Sequence, residues 1–278
     1  MMIMNFSIER EHVKLKLQLI VKKQTKIIQN DERIRIDICL FRAITLRGKG
    51  GEYVEQFIRR ILVYTLGLWV LAFGVAISVN SNLGVSPVNS LPYVVSLITG
   101  KELGTCVIMI FLIYIAVQIV ILRKEFQWFN LAQILCSTVF GYFVDLSKWI
   151  LGDFALPTYA GRMVMLAVSI VLVSIGIFLY LSVDLLNMPM EGMTKAMTRK
   201  IFKKMQFHQV KVLTDCTVVG LGIVLSFVFM GEVQGIREGT VLSALLVGKV
   251  MKQLQKWWLP GIERFCYGSQ QGVTQVNE

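Results

Sequence analysis

Five polar side chains stand at or near the ends of long apolar runs, where they could bind a polar solute. Asn82 and Asn89 follow the first run, and Asp184 and Glu191 follow the fourth. Asp215 lies about one helical turn inside the fifth run. Carboxylates and amides are costly to place inside a membrane, so residues of this kind are candidates for a functional site. The sequence therefore predicts a substrate-binding site formed by these five residues.

Each of these side chains also has a purely structural interpretation. A proline two residues before Asn89, and another two residues before Glu191, is a favourable first residue of a helix. Both side chains would then lie in a first helical turn and could stabilise the start of the helix. Lys211 lies four residues before Asp215, and an ion pair between them would account for this acid. Both interpretations stay open at this point.

Sequence signatures of enzymes are absent. The chain has no G-x-S-x-G, no H-E-x-x-H, no phosphate-binding loop and no dinucleotide fingerprint. Its 5 cysteines are widely spaced without a C-x-x-C pair, which is typical of small buried apolar residues rather than of metal ligands. We expect no enzymatic activity, no cofactor and no metal site.

The composition is that of a membrane protein. Apolar residues make up 55% of the chain and charged residues 17%, with a mean hydropathy of +0.62. Soluble domains contain about 45–50% apolar and about 25% charged residues. The net charge is +11, but the basic residues flank the apolar runs, as membrane topology requires. We therefore expect the lipid bilayer, and not nucleic acid, as the partner of this charge.

The apolar runs predict six transmembrane helices. The third and sixth are interrupted by Asp145 and Lys249, so we expect their neighbours to shield them from lipid. With the N-terminus inside, 25 of the 29 Lys and Arg residues fall on the cytoplasmic side. This predicts a multi-pass protein of the cell inner (plasma) membrane with both termini in the cytoplasm. The predicted spans are 61–79, 105–122, 131–148, 163–183, 211–230 and 239–257.

The two halves of the chain share landmarks. Gly74 lies thirteen residues before Pro87, and Gly176 lies thirteen residues before Pro189. Each half contains three spans and a short helix after the first span. Because three is odd, the second half must enter the membrane from the opposite side, which is the architecture of many transporters. The predicted fold is an all-α membrane protein with six transmembrane helices arranged as two inverted three-helix repeats.

The third span of each half also has small residues four positions apart. The first half contains Ser137-x-x-x-Gly141 and the second contains Ala244-x-x-x-Gly248. Such spacing lets helix backbones approach closely where lipid supplies no hydrophobic driving force. We expect both spans to be central in the fold.

The second short helix is amphipathic. In PMEGMTKAMTRKIFKK, one face carries Met190, Met193, Met197 and Ile201, and basic residues occupy the others. This pattern favours a helix that lies at the membrane interface with its apolar face on lipid.

The chain divides into four segments. Residues 1–52 are predicted to be a basic cytoplasmic extension without a core of their own, and disordered. An alternative for this extension is a peripheral segment attracted to anionic lipid. Repeat 1 covers residues 53–150, repeat 2 covers residues 161–258, and residues 259–278 form a cytoplasmic C-terminal tail.

The duplicated G…LG-x-x-P elements, each followed by a short helix and a later small-residue span, resemble the YczE/YyaS/YitT-like family of bacterial integral membrane proteins. The resemblance covers roughly residues 53–258. It implies the fold and the membrane location, with transport presumed. Members often carry an acid two residues after the proline in both halves; Glu191 fits this pattern and Asn89 departs from it. Leu186 also stands where Gly84 would have its counterpart.

Two functional hypotheses follow. The first is a small-solute transporter or permease with a site between the two repeats. The second is a non-transporting membrane scaffold, or a partner-dependent subunit, with a basic cytoplasmic docking face. Its partner would be a second copy of the chain or another membrane protein. A transporter should contain a polar cavity that reaches toward the middle of the membrane, whereas a scaffold should have a dry core.

Overall fold

The computed structural model describes residues 50–267, and these residues form eight α-helices, two short 3-10 turns and no strand. Residues 1–49 of the predicted extension (1–52) and residues 268–278 of the predicted tail (259–278) lie outside the described residues, whereas residues 50–52 and 259–267 are helical. Residues 57–267 belong to one compact unit. The helices are α1 (Gly50–Ser81), α2 (Pro87–Thr99), α3 (Leu103–Leu122), α4 (Ala132–Leu151), α5 (Tyr159–Ser182), α6 (Pro189–Lys200), α7 (Phe207–Met230) and α8 (Glu238–Tyr267).

Five of these helices, α1, α3, α4, α5 and α7, are long and apolar enough to cross a membrane, and they correspond to the first five predicted spans to within one residue at each end or contain them. The sixth predicted span lies in α8, which is not among the five. This helix has 30 residues, more than a span requires, but Lys249, Lys252 and Lys256 interrupt its apolar sequence. The sixth span therefore stays a prediction.

The outer surface of the helices is apolar. Large side chains such as Val120, Leu135 and Val228 are each more than 65% exposed. Soluble monomers rarely present contiguous apolar surface of this kind, whereas lipid covers it at no cost. Polar side chains are turned inward instead; the buried hydroxyl of Ser174, for example, donates to the carbonyl of Ile170 at 2.6 Å. The molecule is built for a membrane.

Helices α1 and α5 cross in antiparallel orientation through two glycines. A Cβ on Gly74 would lie 2.9 Å from the backbone nitrogen of Val173, and a Cβ on Gly176 would lie 2.6 Å from the backbone nitrogen of Leu71. Only glycine permits backbones to approach this closely. The paired glycines thus fix the contact between the first spans of the two halves.

Each short helix packs against the second span of the other half. Helix α2 packs on α7, where Val94 lies beside Gly222, and α6 packs on α3, where Gly192 lies beside Gln118. Met190 and Met193 on the apolar face of α6 are buried in the main core and Met197 packs against it, whereas Ile201 at the end of this face is exposed. The sequence favours an interfacial helix with this face on lipid; packing against another helix of the chain replaces that lipid contact.

Helices α4 and α8, the last long helices of the two halves, have different neighbours. Helix α4 packs on α3, where a Cβ on Gly104 would overlap the carbonyl oxygen of Gly141. The carboxylate of Asp145 in α4 also accepts a hydrogen bond from the backbone N–H of Gly104 at 2.5 Å. Helix α8 packs instead on α5, and a Cβ on Gly248 would meet no atom within 4 Å in the described part of the chain. This difference leaves space beside α8.

Candidate binding cavity

The candidate site lies near two turns of the chain, one after α1 and one after α5. Helix α1 ends at Ser81 and is followed by Asn82 with φ 56°; α5 ends at Ser182 and is followed two residues later by Asp184 with φ 43°. These left-handed conformations suit Asn and Asp better than most other residues. Asn82 and Asp184 each lie five residues before the proline that begins the next helix. They therefore turn the chain at corresponding points of the two halves.

The predicted helix starts are confirmed. Helix α2 begins at Pro87 and α6 begins at Pro189, as expected for proline in a first turn. Neither N-cap residue makes a side-chain capping hydrogen bond. The Asn89 amide nitrogen donates to the Ser86 hydroxyl at 3.2 Å, a contact between side chains that satisfies no backbone group of the helix. The Asn89 oxygen takes no part in it.

Both helix starts line one cavity of about 490 Å³. Asn89 lies at the start of α2 and Glu191 at the start of α6, and the other six helices complete the wall. Phe111 and Phe140 come from the middle of α3 and α4, so the cavity reaches the mid-length of the long helices. At the other end its wall includes the exposed side chain of His208, near the start of α7. A volume of this size suits a small ligand.

The structure brings three of the five predicted site residues together. Asn89, Glu191 and Asp215 line the cavity, whereas Asn82 and Asp184 do not. The backbone carbonyl of Asn82 accepts a hydrogen bond from an arginine at 3.3 Å, and so does that of Asp184. At these two positions the structure shows a role in the turns of the chain.

The Glu191 carboxylate is held on one side only. Its Oε1 accepts a hydrogen bond from the Tyr180 hydroxyl at 2.6 Å, while its buried Oε2 has no hydrogen-bond partner among residues 50–267. Burial raises the pKa of the Glu191 carboxyl above its ordinary value, and the Tyr180 hydroxyl, Lys211, Lys195 and the backbone N–H of Met188 partly oppose this rise. One oxygen of this cavity-lining carboxylate is therefore buried without a donor.

Asn89 provides a second acceptor of this kind. Its side chain is 4% exposed, and its Oδ1 has no partner within the described part of the chain. Asn89 and Glu191 each lie two residues after the proline that begins their helix. A buried acceptor without a donor is unfavourable, so two of them on one cavity are a notable feature of the fold.

The cations of the cavity wall are already engaged. The Lys211 ammonium lies 2.5 Å from the Asp215 carboxylate, which confirms the ion pair predicted from their spacing. The Lys195 ammonium donates to the side-chain oxygen of Asn187 at 2.8 Å. Sequence analysis did not single out Lys195, although its position four residues after Glu191 places both on one helix face. The sequence did not indicate Tyr180 as a site residue, because it lies within an apolar run.

A buried glutamine holds the start of α6. The side-chain nitrogen of Gln118 donates to the carbonyl of Pro189 at 2.9 Å and to the Gln133 side chain at 3.1 Å. Gln118 is 1% exposed. This contact ties the start of α6, and hence Glu191, to helix α3.

We expect Gln118→Leu to destabilise the protein by about 1–3 kcal/mol, because it leaves two buried acceptors without a donor. The thermal unfolding temperature of the purified protein in detergent measures this effect. Gln253→Leu, at an exposed position of α8, is the matched control and should change stability by less than about 0.5 kcal/mol. Equal unfolding temperatures for the two variants would contradict the anchoring role of Gln118.

These features define an all-α membrane protein with several apolar helices and an internal cavity. The chain belongs to a family described as a family of unknown function (DUF6198), which it matches over residues 58–256.

Two proteins of Bacillus subtilis (strain 168) are similar to the chain. The uncharacterized membrane protein YczE is 26% identical over 199 residues, which cover 71% of this chain and 86% of YczE. The uncharacterized protein YyaS is 24% identical over 207 residues, which cover 74% of this chain and 94% of YyaS. No solved structure matches the chain. The family resemblance predicted from the duplicated motifs is thus confirmed.

Proposed function

We propose that this protein is a small-solute transporter of the cell inner membrane, with its binding site in the cavity between two inverted repeats and with α8 as the sixth span. The observation that carries the proposal is the cavity itself. It reaches the mid-length of the long helices and is lined by polar groups from both halves. A membrane scaffold needs no such cavity.

Reciprocal contacts support the inverted repeats. Gly74 and Leu71 in the first half correspond to Gly176 and Val173 in the second, and the contact of Gly74 with Val173 is matched by that of Gly176 with Leu71. The packing of α2 on α7 is likewise matched by that of α6 on α3. Exchange of the halves therefore maps these contacts onto one another, as a two-fold axis in the membrane plane requires.

Differences between the halves support alternating access. The third span of the first half is closed against α3 at Gly104 and Gly141, whereas Gly248 in the second half faces the cavity. In transporters with inverted repeats, the two halves exchange conformations to open the other side of the membrane. In the alternate state, α8 would close at Gly248 and α4 would separate from α3.

The present state is assigned as open to the cytoplasm. The exposed end of the cavity lies at the start of α7, next to the basic segment from Lys195 to Lys211. Short basic loops of this kind remain on the cytoplasmic side. With six spans, both termini of the chain would also lie on the cytoplasmic side.

Thiol accessibility tests the proposal. Ala244 lines the cavity and is exposed, whereas Ser137, at the corresponding position of the first half, is 1% exposed. In a variant without native cysteines, we expect Ala244→Cys to react with a membrane-impermeant maleimide from the cytoplasmic side. The reaction should be more than about tenfold faster than that of Ser137→Cys, whose thiol is buried and neutral. Inside-out and right-side-out vesicles separate the two sides.

Asp153→Cys, at an exposed position after α4, is the control for vesicle orientation and should react from the external side only. Reaction of Ala244→Cys from the external side alone would contradict the assigned orientation. Protection of both Ala244→Cys and Ser137→Cys would indicate a dry core and favour the scaffold.

A further inference from the structure

Two buried side-chain atoms of the cavity wall have no hydrogen-bond partner in the described part of the chain, and both are acceptors. Asn89 Oδ1 and Glu191 Oε2 are both buried and lack partners among residues 50–267. They belong to side chains that line the same cavity, one from each half of the chain. A ligand that completes this site must therefore donate hydrogen bonds, because buried polar groups are normally satisfied.

The rest of the wall limits the body of such a ligand. The cavity is lined mainly by apolar side chains, among them Phe111, Phe140, Ile177 and Met251. An apolar wall binds an apolar body without polar substituents, since each unpaired polar group would lose its hydrogen bonds to water. The ligand thus combines a donating head with an apolar body.

The carboxylate of Glu191 favours a cationic head over an anionic one. Of the two lysines in the wall, Lys211 is paired with Asp215, and Lys195 donates a hydrogen bond to the neutral side chain of Asn187. The starts of α2 and α6 favour negative charge. At α6 this charge is supplied by Glu191 itself, which is the acidic residue of the first turn.

We propose that the cavity binds an organic ammonium ion, whose head donates hydrogen bonds to Asn89 Oδ1 and Glu191 Oε2 while its apolar body contacts the wall. This inference rests on the proposed function, because it names the substrate class of the same cavity. An ammonium group carries three donors, and its hydrogen bond to a carboxylate is stronger than one between neutral groups.

Three probes of similar size test the head group on the purified protein: 2-phenylethylamine, 2-phenylethanol and 3-phenylpropionate. At neutral pH we expect the amine to bind at least about tenfold more tightly than the alcohol, and the carboxylate not to bind. Glu191→Gln and Asn89→Leu should each weaken amine binding by about tenfold to a hundredfold. Isothermal titration calorimetry measures the affinities, and the shift of the unfolding temperature provides a second readout.

Glu125→Gln and Asn130→Leu are matched controls, because neither residue lines the cavity. Both should bind the amine like the unmodified protein. Equal binding of the three probes, a preference for the carboxylate, or unchanged amine affinity in Glu191→Gln would overturn the inference. If Asn89→Leu does not fold, the comparison of probes and Glu191→Gln still decide it.

The thiol experiment keeps this inference distinct from the proposed function. One-sided labelling of Ala244→Cys without amine binding would leave transport in place and remove the ammonium class. Amine binding with Ala244→Cys and Ser137→Cys equally protected would indicate a binding site without transport, and the proposed function would fail.

Discussion

Gly104→Ala is expected to destabilise the folded protein strongly. A Cβ at this position would overlap the carbonyl oxygen of Gly141 and would lie 2.5 Å from a carboxylate oxygen of Asp145. Backbone atoms of two packed helices cannot move apart locally, so α3 and α4 would have to separate along their length. Overpacking typically costs about 1–3 kcal/mol, and a clash with backbone belongs at the upper end of this range. The yield of monodisperse protein and its unfolding temperature measure the loss.

Gly248→Ala is the matched control from the second half. A Cβ there meets no atom within 4 Å in the described part of the chain, and alanine favours a helix over glycine by up to about 1 kcal/mol. We expect unchanged or slightly higher stability. Equal destabilisation by both substitutions would show that the difference between the two halves is absent in solution. If α8 closes at Gly248 during transport, this stable variant should transport more slowly.

Lys211→Met is expected to produce the second large effect, because it leaves the Asp215 carboxylate without its partner. Each of the two side chains is 24% exposed. Removing one member of a fully buried pair costs about 3–5 kcal/mol, and partial exposure reduces this to about 1–3 kcal/mol. The double variant Lys211→Met/Asp215→Leu should recover much of the lost stability, since it removes the uncompensated charge as well. Thermal unfolding of the single and double variants forms a double-mutant cycle.

Lys200→Met is the appropriate comparison for Lys211→Met. Lys200 forms an ion pair with Glu125 at the surface, where the glutamate side chain is 65% exposed. A pair of this kind contributes about 0–1 kcal/mol. If Lys211→Met costs no more than Lys200→Met, the pair in the cavity wall is screened by water like a surface pair.

Much of the fold was predictable from rules that concern only neighbouring residues. The starts of α2 and α6 were predictable, because proline in a first turn depends only on the adjacent backbone. The ion pair of Lys211 and Asp215 was predictable for the same reason, since residues four apart on a helix are neighbours. Five of the long helices follow from length and apolar composition.

Contacts between distant segments were not predictable from one sequence. The hydrogen bond from Gly104 to Asp145 joins residues 41 positions apart, and no local pattern indicates it. The site prediction selected polar residues near the breaks, and it could not separate those that turn the chain, Asn82 and Asp184, from those that line the cavity. Which polar residues face the cavity depends on how the chain after each turn packs between the long helices. This packing is a property of the assembled bundle.

The reciprocal packing of the short helices imposes an order on the assembly of the protein during its synthesis. Helix α2 ends at Thr99, but the helix that covers it, α7, begins only at Phe207. At about 5–20 residues per second, a ribosome needs roughly 5–20 s to make the intervening chain. During this time the first half is in the bilayer with one face of α2 uncovered. The newly made half is therefore an incomplete molecule whose polar start, around Asn89, must wait for a segment still inside the ribosome.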